Sequence, residues 1–162
     1  MTTKADFAPE EWSRLLQAPL AVGMYVAAAS PSLLGSIGES MALGKGIAAV
    51  AQSGTDNELL SALIGDLTNK ETAKEAQLKL TARDPEGIKA ELMDAVRGAA
   101  ALLDEKASAE EATGLKQWFY QLAVDVANAT KEGGFLGIGA VRVSDAEKAA
   151  LAELADALGV TP

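Results

Sequence analysis

From Leu15 to Gly38 the chain carries no charged side chain, and beyond it only Glu39 and Lys45 are charged before Asp56. Leaving that much apolar surface in water is unfavourable, so the stretch must be covered by protein or by lipid. It is long enough on paper to span a bilayer, which takes roughly 20 apolar residues. Pro19 and Ser30-Pro31-Ser32, however, divide it into pieces of about a dozen residues or fewer, the length of buried core helices. No Lys/Arg cluster or aromatic belt flanks it. The expectation is a core helix, with membrane association through Leu15–Gly38 as a second alternative. The N-terminal residues lack a basic region followed by an apolar run, so the expected compartment is the cytoplasm.

What covers this stretch follows from composition. Hydrophobic residues make up 49% of the chain and aromatic ones only 4%, a balance that favours closely packed helices over a β-sandwich. A chain of 162 residues suits one domain, burying roughly 70% of the surface exposed on unfolding. With no Cys there is no disulfide or thiolate chemistry. With no His, the commonest general base and transition-metal ligand are also missing. The 23 acids outnumber the 14 bases, for a net charge of −9, and no basic run appears. Nucleic-acid binding, which rests on neutralising phosphates, is not expected.

Helix signals recur along the chain. Residues 1–8 read as a disordered or extended tail. Pro9-Glu10-Glu11 opens a first helix, which Pro19 should kink or interrupt near Gln17–Ala18 before Ser30-Pro31-Ser32 ends it. Leu33 to Gln52 holds four glycines, yet Ser36, Ser40, Gly44 and Ala48 recur every four residues as a stripe of small side chains, and Gly23 and Ala27 form a shorter one. Such stripes let helix backbones approach closely. Thr55-Asp56-Asn57-Glu58, Ser108-Ala109-Glu110-Glu111 and Ser144-Asp145-Ala146-Glu147 have the form of capping boxes. The first opens a helix with Leu60, Leu63, Ile64 and Leu67 inward, the second one with Leu115, Phe119, Leu122 and Val126 inward. The third opens a helix that buries Leu151, Leu154, Ala155 and Leu158 and stops at Gly159. Between them, Asn69 to Arg83 reads as a separate exposed helix. Asp84-Pro85-Glu86 starts another, with Ile88, Leu92, Val96, Ala99 and Leu103 at helical spacing. Gly133-Gly134 ends the long helix, and a glycine-rich loop follows near 133–143. The expected fold is all-α, a compact single-domain bundle of seven or eight helices. Two similar runs, Leu20-Ala21-Val22 and Leu122-Ala123-Val124, each with an upstream Trp, leave room for two pseudosymmetric halves.

Candidate chemistry is sparse. Gly38 to Gly44-Lys45 has the wrong spacing for a phosphate loop, and Gly46 stands where Ser or Thr must bind magnesium. Gly134 to Gly139 does not spell the dinucleotide fingerprint. Glu39 stands alone beside the apolar stretch, with Arg14 and Lys45 the only bases nearby, and is expected to be partly buried and bonded to Arg14 or to a backbone end. Asp125, one turn from Leu122, is a second candidate to face a partner.

In the last part of the chain, Val126-Ala127-Asn128-Ala129-Thr130-Lys131-Glu132-Gly133, Val143 to Glu147 and Leu151–Gly159 resemble the TerB-like tellurite-resistance helical domains. The resemblance implies an all-helical fold with internal pseudosymmetry and acids that take part in divalent-metal binding, carried here by Glu132 and Glu147. The sequence departs from the pattern where Glu132 replaces Asp and where Phe135–Arg142 separates the acids widely. The leading expectation is a non-catalytic helical interaction or scaffold module for a protein partner or a second copy of itself, with Phe135, Leu136 and Ile138 as an apolar contact patch. The alternative is a TerB-like domain binding Ca²⁺, Mg²⁺ or Mn²⁺ through carboxylates.

Overall fold

The computed structural model describes the backbone of residues 1–29, 35–132 and 143–162, and the side chains of 1–29, 42–129 and 143–162. Six α-helices are described: α1 (Pro9–Ala29), α2 (Gly35–Ser53), α3 (Glu58–Thr68), α4 (Pro85–Lys106), α5 (Ala109–Glu132) and α6 (Asp145–Leu158). Two 3-10 turns, Lys4–Asp6 and Ala73–Ala76, complete the set, and no strand occurs among the described residues. The all-α expectation stands, with six helices where seven or eight were expected.

The uncharged stretch supplies the central element. α1 packs against every other helix, most extensively α4 and α5. Trp12, Leu15, Leu16, Ala18, Ala21, Val22, Tyr25 and Val26 are buried along it. No helix among the described residues is long and apolar enough to cross a membrane. Pro19, expected to kink or interrupt the helix, does not interrupt it: it is a buried residue inside α1, which runs on to Ala29. A proline in a helix interior costs about 3 kcal/mol or more, a loss set against the burial of Leu15, Leu16, Ala18, Val22 and Val26 along the same helix.

Around α1, helix ends follow local chemistry. Asp84 caps α4 by accepting from Gly87 N–H at 2.9 Å. At α5, Ser108 and Glu111 bond reciprocally, and at α6 Ser144 and Glu147 do the same. Gly159, in the left-handed region at φ 68°, ends α6. For α3 the cap is Asn57, not Thr55. The Asn57 side-chain oxygen accepts from Leu60 N–H, while its amide donates to the Glu111 carbonyl and so ties α3 to α5. Between α4 and α5, the buried Lys116 ammonium reaches Asp104.

The small-residue stripe of α2 lies in a different register from the expected one. Gly44 is exposed, and a side chain added there would meet nothing. The close approaches are at Gly46, where a Cβ would stand 2.4 Å from Leu122 Cδ2 of α5, and at Gly23 of α1, where it would stand 2.6 Å from Leu43 Cδ1. Positions 44 and 46 are about 200° apart around a helix, so the two glycines face opposite ways. The side chains of Ser36 and Ser40 lie outside the described residues.

The residues before α1, expected as a disordered or extended tail, include a 3-10 turn at Lys4–Asp6 and are bonded to the helices. Thr2, buried, donates its backbone N–H to Glu111 at 3.0 Å and its hydroxyl to the Lys106 carbonyl. Lys4 pairs with Asp66 at 2.5 Å, and the Trp12 indole N–H donates to the same carboxylate at 2.8 Å.

Candidate functional site

Asn69 to Arg83 departs furthest from its expected form. Only Ala73–Ala76 makes a 3-10 turn, and residues 77–83 run as a non-helical segment across α1 and α4. Its entry is set by local bonds: the Thr72 hydroxyl donates to the Asp66 carbonyl at 2.6 Å, and Glu71 N–H to the Asn69 side chain at 2.9 Å. Gln77 is extended, at φ −71° and ψ 124°. Exposure then alternates residue by residue. Gln77, Lys79, Thr81 and Arg83 are exposed; Leu78, Leu80 and Ala82 are half-buried, with both leucines packed against the core. That is the two-residue period of a strand, laid on helices instead of in a sheet.

Two side chains from the helices hold the segment. Gln17 of α1 donates its amide to the Glu75 and Gln77 carbonyls, both at 3.3 Å. Glu91 of α4 accepts from Thr81 N–H at 2.8 Å, from Ala82 N–H at 2.9 Å and from the Thr81 hydroxyl. The Thr81 hydroxyl and amide bonds hold the Glu91 carboxyl below its ordinary range. Gly87 lets the chain pass closely over the start of α4, since a Cβ there would come within 2.8 Å of the Ala82 Cβ.

Among the described residues, nothing hydrogen-bonds to the backbone of Leu78, Lys79 or Leu80. Beside them opens a groove of about 380 Å³, lined by Gln17, Leu78–Leu80, Glu91, Asp94 and Ala95. Four cations, Lys70, Lys74, Lys79 and Arg83, are exposed along this part of the chain and make no ion pair among the described residues. Within residues 70–83 these four cations outnumber Glu71 and Glu75, while Asp84, Glu91 and Asp94 put negative charge on the α4 side of the groove.

A second polar cluster joins α1, α4 and α6. The Tyr25 hydroxyl donates to Glu153, and the Lys89 ammonium stands 4.9 Å from the Tyr25 ring centroid. Burial, together with the Glu153 bond and charge, pushes the Tyr25 phenol up to about 12. It is therefore a neutral donor at ordinary pH, and its geometry is that of a clamp between helices.

The residues singled out in the sequence lie on different helices or outside the described residues. Arg14 is exposed on α1 and Lys45 is exposed on α2. Glu39 lies on α2 and Glu132 ends α5, with both side chains outside the described residues. Phe135, Leu136 and Ile138 also lie outside them. Glu147 is buried and accepts from Ser144 N–H at 2.8 Å as part of the α6 capping box. Asp125 accepts from Gln121 at 2.9 Å, and its other oxygen lies 3.6 Å from the position of a Gly46 Cβ, so it faces α2. Among the described residues, no group of three or more acids could hold a metal ion. Sequence reasoning missed Gln17, Leu78, Lys79, Leu80, Arg83 and Glu91. The available signal was the alternation Leu78, Leu80, Ala82 against Lys79, Thr81, Arg83, which a helical reading obscured. In comparison with known proteins, the chain matches no family model, no curated protein and no solved structure.

Proposed function

We propose that this protein is a non-catalytic helical interaction module whose contact site is the segment 77–83 and the groove beside it. One observation carries the reading. Leu78 to Leu80 keep strand-like alternation while their backbone groups bond to nothing among the described residues. An unpaired extended backbone is a template for another chain, and strand addition is a recurring way of binding peptides. Asp94 and Ala95 on α4 and Gln17 on α1 give the template a floor against which a partner's side chains can pack. The two hydroxyl–carboxylate contacts, Thr81 to Glu91 and Tyr25 to Glu153, are read as structural: the first anchors the segment, and the phenol of Tyr25 is held neutral.

The test is site-specific photo-crosslinking. A photoreactive residue replaces exposed Gln77 in one variant and exposed Glu110, at the start of α5, in another. Discrete adducts from position 77 and none from position 110 are expected. Equal labelling at both positions, or none at 77, would overturn the reading.

A further inference from the structure

We infer that the partner is an extended acidic peptide segment that adds as a strand along Leu78–Leu80; this rests on the interaction-module reading above. The backbone supplies hydrogen bonds without regard to sequence, so selectivity must come from side chains on the two faces of the added strand. On the outward face, the neighbours of an incoming strand are Lys79, Thr81 and Arg83, all exposed. Directly opposite residues on paired strands interact, favourably for unlike charges and unfavourably for like ones. An acid opposite Lys79 would therefore be favoured, and Arg83, just beyond the paired residues, adds its charge to the same face. Lys70 and Lys74, just upstream and unpaired among the described residues, extend the positive field.

The inward face imposes a different demand. Between Gln17, Leu78, Leu80 and Ala95 the groove of about 380 Å³ accepts small apolar side chains. Asp94 and Glu91 at its edge repel acids from those inward positions. The preferred partner thus alternates acidic and small apolar residues. A second copy of this chain is disfavoured, because edge-to-edge self-pairing would bring the Lys79 and Arg83 edges of both copies together. Lysines on exposed edges oppose self-association for this reason, while leaving an acidic strand free to enter. A nucleic acid would meet the same cations, but no aromatic residue in 70–83 offers a base a stacking surface.

The experiment uses the full chain and fluorescence anisotropy with a labelled synthetic peptide alternating Glu and Val. Two controls accompany it: the same peptide N-methylated at alternate residues, which cannot complete a ladder, and a Lys–Val counterpart. The Glu–Val peptide is expected to bind, and N-methylation to weaken it by about tenfold or more. The Lys79→Glu/Arg83→Glu double variant, altered only at exposed positions and checked for an unchanged melting temperature, is expected to lose binding to a similar degree. The Lys–Val peptide should not bind. Equal binding of the N-methylated peptide would overturn strand addition, and unchanged binding by the double variant would overturn the charge assignment. Tighter binding of a single-stranded oligonucleotide, or a dimer that dissociates when Lys79 is replaced, would overturn the choice of partner. No peptide binding, with position-77 adducts still formed, would sink this inference alone. Loss of both would sink the interaction module as well.

Discussion

Glu111 shows how a single carboxylate can join three parts of a chain. It accepts from the Ser108 hydroxyl at 2.7 Å, from Ser108 N–H at 3.2 Å and from Thr2 N–H at 3.0 Å. The Ser108 hydroxyl bond, the largest influence, brings its carboxyl from 4.5 to about 2 against the opposing effect of burial, with the Thr2 backbone bond adding to the lowering. Folding lowers this pKa, so the associated stability is fully present above the unfolded value of 4.5 and is lost as pH falls toward 2. Replacing Glu111 with Gln should cost about 1 kcal/mol at neutral pH, the scale of a lost helix cap. Urea unfolding should show that difference shrinking in acid. A difference that persists undiminished at low pH would mean that the charge of Glu111 is not what holds the first residues down.

Glycines on α2 permit a paired prediction. Gly44 faces open space and Gly46 faces Leu122, which has no exposed surface. Gly44→Ala should therefore stabilise the protein by up to about 1 kcal/mol, the helix-propensity gain. Gly46→Ala should destabilise it by about 1–3 kcal/mol through overpacking against α5. Thermal unfolding of both variants decides between the registers; the opposite signs would put Gly44 at the helix contact. Much of the remaining helix order could be read directly. Asp84, Ser108 and Ser144 cap where short-range chemistry places them, and Leu115, Phe119, Leu122 and Val126 form one buried face of α5. The misread elements are those decided at a distance. The backbone of 77–83 is held by Gln17 and Glu91, neither a local neighbour, so the polar, Ala-rich composition of Asn69–Arg83 pointed to a helix that these contacts override. The α2 register depends on where α5 lies, which a four-residue spacing of small side chains does not encode. The candidate site was hidden for the same reason: it consists of backbone left unpaired, and no residue type marks that.

Taken together, the six helices leave the carboxylates of the described residues at helix starts, in ion pairs or on the surface, without convergence on a common point. EDTA-treated protein should therefore melt at the same temperature with Ca²⁺, Mg²⁺ or Mn²⁺ added at millimolar concentration. A cation bound at 100 times its Kd would add about 2.7 kcal/mol, which raises the melting temperature by several degrees. A cation-dependent rise abolished by Glu132→Gln or Glu147→Gln would favour the metal-binding alternative instead.

The central position of α1 also has a consequence for synthesis. Its apolar surface is made early, whereas α4 and α5, which cover most of it, come later in the chain. At ~5–20 residues per second, translation of the roughly one hundred residues from the end of α1 to the end of α5 takes about 5–20 s. Throughout that interval the apolar stretch of α1 from Leu15 onward has only α2 and α3 to cover part of it. The order of the helices along the chain thus exposes the apolar face of α1 to aggregation more before α4 and α5 are made than after the fold is complete.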